Sequence, residues 1–160
     1  MRHEKRNLMP KSLPQLRQQL SDIEPSERTY EGIGPPEVDA LLSLLDDEEE
    51  WLATRAVFAL SCIDAENARQ ALVSAAESPR MEVRAAAAAS ANTLPTQVSN
   101  EILSRLLGDP QPAVRKFAIK STSGRNSEAV RQRITEIAAA DTDTRLRQVA
   151  QQQATSIAEP

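Results

Sequence analysis

The sequence predicts an all-α chain built as a stack of about four helical hairpins. Three observations carry this. Leu52, Val83, Val114 and Leu146 recur at steps of 31, 31 and 32 residues, and periods of this size are the mark of stacked repeats. Around each of them the same letters return: an Asp or Ser five residues upstream (Asp47, Ser78, Asp109, Asp141) and an Ala four downstream (Ala56, Ala87, Ala118, Ala150). One residue downstream the column reads Ala53, Arg84, Arg115, Arg147. Finally, aromatics make up only 2% of a chain that is 40% hydrophobic. Alanine supplies much of that share, and it is the strongest helix former.

Taken in order, residues 1–11 are charged and aperiodic and read as a flexible tail. From Ser12 the spacing Leu13, Leu16, Leu20, Ile23 is an amphipathic helical stripe. Ser12 is a suitable N-cap, and Pro14 is tolerated in a first turn. Residues 24–36 hold three prolines and two glycines and read as a loop. Residues 12–36 are thus expected to form a capping helix and loop ahead of a repeat domain over 37–160.

The four repeats are expected near 37–63, 64–94, 95–125 and 126–158. In the first, helix A should bury Val38, Leu41, Leu42 and Leu45, and helix B should bury Leu52, Ala56, Ala59, Leu60 and Ile63. The acidic turn Asp46–Glu50 places carboxylates at the start of helix B, where the helix dipole favours negative charge. Pro79 divides the helices of the second repeat. Gly108 ends helix A of the third, as glycine commonly does. Each hairpin is too short to hide its own apolar face, so burial is completed by stacking on the next. Helix B of the last carries Gln148, Gln151, Gln152 and Gln153, a polar coat suited to an exposed end.

The formal charge is −4, unevenly spread: residues 1–80 hold nine Lys/Arg against fifteen Asp/Glu, residues 81–160 ten against eight. That is far from the strongly basic profile of a dedicated nucleic-acid binder. Cys62 is the only cysteine, which excludes an intrachain disulfide and fits a reducing compartment. No run of eighteen apolar residues exists to cross a membrane, and the charged start, Met1 to Arg6, lacks the apolar run of a signal peptide. A cytoplasmic location is expected.

The element Asp-x-x-x-x-Val-Arg-x-x-Ala, here Asp109, Val114, Arg115 and Ala118, resembles the core of a HEAT repeat. The short step is similar to the HEAT-like variety of phycobilisome-lyase-type proteins. The resemblance spans about residues 37–157, with departures at Ala53 and Ser78. It implies a right-handed α-solenoid whose second helices line a concave surface. It also implies that Asp47, Arg84, Asp109, Arg115, Asp141 and Arg147 form a structural ladder across neighbouring repeats.

No catalytic or cofactor constellation stands out. His3 is alone in the tail, without a partner for a metal pair or a dyad. Cys62 is expected to be a buried or half-buried small hydrophobe. No glycine-rich phosphate loop occurs, so no enzyme, cofactor or metal is expected. What remains is the outward stripe of the second helices: Thr54, Ala85, Lys116 and Gln148 in one column, Phe58, Ala89, Lys120 and Gln152 one turn later. Arg55 and Phe117 flank it, and Trp51 is expected to cover the first helix pair.

The leading expectation is a protein-interaction module, an adaptor, assembly factor or inhibitor of the immunity type, binding another protein on this face. Its candidate contact residues are Arg55, Phe58, Lys116, Lys120, Gln148 and Gln152. The alternative is nucleic-acid binding through Arg84, Arg115, Lys116, Lys120 and Arg125. A bilin-lyase-like or chaperone subunit is a third reading, suggested by the repeat type alone.

Overall fold

The structure, a computed structural model, describes residues 9–159. His3, most of the expected tail and the closing Pro160 lie outside the described residues. Nine α-helices occur among those described: α1 (Leu13–Leu20), α2 (Val38–Leu44), α3 (Glu50–Ser61), α4 (Glu66–Ala75), α5 (Met81–Ser90), α6 (Thr96–Leu106), α7 (Pro112–Ser121), α8 (Glu128–Ala140) and α9 (Thr144–Ala158). Short 3-10 turns sit at Glu27–Tyr30, Pro35–Glu37 and Ala91–Thr93.

Consecutive helices pair as α2/α3, α4/α5, α6/α7 and α8/α9, and the pairs stack side by side. The first helices, α2, α4, α6 and α8, form one layer. The second helices, α3, α5, α7 and α9, form the other, with α1 beside α3 at its open edge. The chain is a short α-solenoid. Its core is one continuous cluster running from Leu16 to Ala150.

The alanine column explains how the second layer closes up. Ala56, Ala87, Ala118 and Ala150 are all fully buried, and a methyl side chain lets neighbouring backbones approach. Leucines fill the space between layers: Leu41, Leu72 and Leu103 occupy equivalent places in α2, α4 and α6 and are fully buried or nearly so. The fourth copy breaks this rule. Counting back from the Asp column, Thr135, Ala138 and Ala139 stand where α6 has Leu103, Leu106 and Leu107, and Thr135 and Ala139 are exposed. No fifth hairpin among the described residues covers α8, so bulky leucines there would face water.

Caps follow local chemistry. The Ser12 hydroxyl accepts from the Gln15 amide N–H and the Gln15 side chain accepts from the Ser12 N–H over 2.8 Å, a reciprocal capping box. Ser127 and Asp143 cap α8 and α9. Asn126, buried between repeats three and four, donates to Ser99 Oγ at 3.1 Å and Asn100 Oδ1 at 2.9 Å.

Several apolar positions differ from the periodic reading. In α2 the buried set is Val38, Leu41 and Leu44, while Leu42 is exposed and Leu45, just past the helix, is half-buried. The helix is only seven residues long and turns away after Leu44, so spacing by threes aligns with the core. Leu13 is 40% exposed at the first position of α1, and Ile23 lies beyond that helix and is 92% exposed. Cys62, expected to be buried or half-buried, is exposed, because α3 ends at Ser61 and the chain turns outward there.

Candidate functional site

Two kinds of residue share the second layer: those that tie repeats together and those left facing outward. The ties engage several of the layer's charges. Arg84 Nε donates to Asp109 Oδ2 at 2.7 Å and its Nη2 to Oδ1 at 3.2 Å. Arg115 grips Asp141 in the same two-pronged way, both bonds at 2.9 Å. Each Asp also accepts the N–H two residues on, Gln111 and Asp143, at 2.9 Å. Each Arg donates its Nη1 to carbonyls of its own turn: Ser78 for Arg84, Asp109 for Arg115, both 2.9 Å. An Arg fork matched to a carboxylate is the strong form of this contact.

The two departures from the repeat pattern belong to one junction. The Arg of one repeat meets the Asp of the next, so Ala53 would face the Ser78 position. Both charged members are missing together, and neither charge is left unpaired. In their stead Arg80 Nη1 donates to the Leu45 and Asp47 carbonyls at 3.0 and 2.6 Å, while Ser78 Oγ accepts the Arg80 N–H.

At the amino-terminal end, Asp47 is paired with Arg17 of α1. The hydrogen bond from the Glu49 N–H, burial opposing it, and then Arg17 hold the Asp47 carboxyl below the ordinary range. Helix α1 therefore stands in the place of a second helix beside α3. Leu16, Arg17 and Leu20 stand at the Val, Arg and Ala positions of the repeated element, a signal present in the sequence but out of step with the 31-residue spacing of the other copies. At the other end Arg147 Nη1 donates to the Asp141 carbonyl at 2.7 Å and Nη2 to Thr144 Oγ1 at 3.0 Å. It meets no carboxylate among the described residues.

The outward set lies on the opposite flank of the same helices. Pro25, Tyr30, Trp51, Thr54, Arg55, Phe58, Ser61 and Cys62 line an open cleft of about 460 Å³. Its floor is α3 and its wall is the loop between α1 and α2. That wall is tied down. Gln19 Nε2 donates to the Thr29 and Glu31 carbonyls at 3.0 and 2.9 Å, and Lys11 Nζ reaches the Glu31 carbonyl at 3.2 Å. Gly32, at φ 70°, turns the chain in the left-handed region, where a Cβ would also crowd Lys11 Nζ at 3.3 Å; glycine tolerates that conformation without strain.

Arg55 joins floor to wall. Its Nη1 donates to the Leu20 carbonyl at 2.5 Å and also to that of Asp22, neutralising the carbonyl end of α1. Its guanidinium carbon lies 5.7 Å from the centre of the Trp51 ring, within cation–π range. Partial burial in this cleft raises the Tyr30 phenol pKa, with the Arg55 charge opposing and Cys62 adding to the rise. Phe58 is half-buried against the core, whereas Trp51 is 43% exposed.

Further along the layer, Ala85 and Ala89 of α5 are half-exposed, and Lys116 and Lys120 of α7 are exposed. Phe117 between them is 44% exposed. Neither lysine forms an ion pair among the described residues. Gln148 and Gln152 of α9 are exposed beyond them. Of the six contact residues expected from the sequence, Arg55 and Phe58 come together in the cleft. The two lysines and two glutamines follow on α7 and α9. Tyr30 and Pro25 carry no periodic signal, because their place depends on how the loop folds back; for Tyr30 the scarcity of aromatics is the signal the sequence offers.

Residues 82–154 match the family model for HEAT repeats. The match covers nearly all of α5, α6 to α8 and most of α9, the part of the chain that holds the Arg84–Asp109 and Arg115–Asp141 junctions. The 31-residue spacing of Val83 and Ala87 continues upstream of the match into α3, to Leu52 and Ala56. Among solved structures, a chain from the complex of CpcE and CpcF of phycocyanin lyase from Nostoc sp. PCC7120 is similar, at 17% sequence identity and a TM-score of 0.39; the alignment covers 96% of this chain and 79% of that one. No curated protein matches. No described helix is long and apolar enough to cross a membrane.

Proposed function

We propose that this chain is a non-catalytic protein-interaction module that holds a partner protein on the outward face of α3, α5, α7 and α9. One observation carries the proposal: three of the chain's four aromatic side chains, Tyr30, Trp51 and Phe58, converge on one open cleft of that face. Aromatic and Arg side chains in a partly desolvated pocket are the usual anchors of protein recognition. The HEAT-repeat match supports a scaffold role. The finer reading, as adaptor, assembly factor or inhibitor, depends on the partner's identity. A cytoplasmic site of action fits the single thiol.

The basic residues weigh against a nucleic-acid reading. Arg84 and Arg115 are bound to carboxylates and Arg125 to the Ala91 and Asn92 carbonyls. Of the five cations such a reading would use, that leaves Lys116 and Lys120 unengaged.

The test is site-directed photo-crosslinking in native lysate. A photoreactive residue at Thr54 or Lys120 should give a discrete crosslinked partner, and one at Gln70 or Gln132 on the first-helix layer should not. Crosslinks only from the first-helix layer would overturn the proposal.

A further inference from the structure

The outward face is not uniform, and its order from α3 to α7 has a length. We propose, resting on the reading just given, that it binds an extended acidic segment of the partner: one apolar anchor in the Tyr30/Trp51/Phe58 cleft and a carboxylate pair on Lys116 and Lys120, five or six residues away.

The spacing comes from the stacking. Helices α3, α5 and α7 are successive neighbours in one layer. Packed helices lie about 8–10 Å apart, so the cleft floor and the lysines are separated by two such steps, about 18 Å. A strand advances about 3.3 Å per residue, which makes that distance five or six residues. Between the two ends the surface is Ala85 and Ala89, side chains too short to obstruct a backbone passing over them.

The chemistry at each end differs. The cleft is mostly apolar, and its one charge, Arg55, is already directed at the Leu20 and Asp22 carbonyls through Nη1. It therefore suits an apolar group such as a Leu or Phe side chain. Lys116 and Lys120 lie one helical turn apart, exposed and unpaired, whereas Arg80, Arg84, Arg115 and Arg125 are each occupied by bonds to neighbouring repeats. Two adjacent ammonium groups without a carboxylate favour an anionic partner group and disfavour a cationic one. The exposed Phe117 ring between them offers apolar contact to the same segment.

Trp51 is the sole tryptophan, so intrinsic fluorescence reports occupancy of the cleft. Synthetic peptides carrying one Leu or Phe and an Asp-Glu pair, separated by two to twelve positions of Gly, Ser and Ala, are titrated into the full chain. Affinity should peak at a separation of five or six and fall about tenfold or more at two. Replacing Asp-Glu by Lys-Lys should remove that gain. The Lys116→Glu/Lys120→Glu variant should lose the acidic preference while retaining the fluorescence response to an anchor-only peptide, and Thr54→Phe, which leaves Trp51 the sole tryptophan, should block the cleft without disturbing the core. Affinity independent of spacing, or no binding by any peptide, overturns this inference. If crosslinks from Thr54 and Lys120 persist in that case, the face reading survives it; if they are absent too, both fail.

Discussion

Arg115 and Asp141, from adjacent repeats and 26 positions apart, meet through two parallel hydrogen bonds of 2.9 Å. Their side chains retain only 12% and 7% exposure. A junction of this kind stabilises unequally under mutation. Arg115→Met leaves a nearly buried carboxylate without its counter-charge, and the expected loss is about 3 kcal/mol. Arg115→Met with Asp141→Leu should recover much of it, because an apolar pair of similar volume leaves nothing unpaired. Urea midpoints of the single and double variants measure both.

The same pair makes stability depend on acid. Burial alone would raise the Asp141 carboxyl, but the Arg115 hydrogen bond and the Asp143 N–H outweigh it, and the folded pKa lies below the ordinary value. Asp47 is lowered as well, by the Glu49 N–H and Arg17. A depressed folded pKa contributes stability that is present above the unfolded value, near 4, and is lost as pH falls through the folded one. Thermal midpoints should therefore be flat with respect to these groups above about pH 5 and drop below about pH 4. The drop should be smaller in Asp141→Asn, which has no charge to neutralise.

Arg147 is the internal control. It has the carbonyl contact of Arg84 and Arg115 but no carboxylate partner among the described residues. Arg147→Ala should cost about 1 kcal/mol, the scale of ordinary hydrogen bonds, and clearly less than Arg115→Met. Equal losses would place the value of the column in its carbonyl contacts rather than in its ion pairs.

Ala118 is fully buried where α7 meets its neighbours. Ala118→Leu adds three carbons to a contact with no room for them, and a destabilisation of about 1–3 kcal/mol is expected. An unchanged denaturation midpoint would show that the second layer is less tightly closed than its buried alanines indicate.

Arg55 is expected to act locally. Arg55→Ala removes the donor to the Leu20 and Asp22 carbonyls and should accelerate amide hydrogen exchange in α1 and the loop wall, with little change in α6 to α9. Uniformly faster exchange would mean that α1 unfolds only with the whole stack.

The repeat structure was legible in the chain because stacking imposes the same demand at each step. A small residue is needed where helices approach, a branched one where they bury, and an Asp and Arg at the turn. Those demands recur every 31 or 32 residues and survive two imperfect copies. The buried places of Leu52, Ala56, Ala59, Leu60 and Ile63 follow from the α-helical period alone. The Ala53 and Ser78 departures were visible too, but not that they face one junction, since a list of copies does not say which repeat each Arg reaches.

The candidate site shows the other side of that division. The sequence by itself determined the outward columns, Phe58 and Lys120 among them, because they are the helix positions the core does not claim. Only the tertiary structure decided that Arg17 completes the first junction and that residues 25–30 fold back to wall a cleft over α3. Both depend on α1 docking against α3 across an aperiodic loop. Its path is set by the contacts of Gln19, Lys11 and Arg55 with backbone carbonyls, and carbonyl groups are the same for every residue type. A bond to a group common to the whole chain leaves no mark at the residue that accepts it.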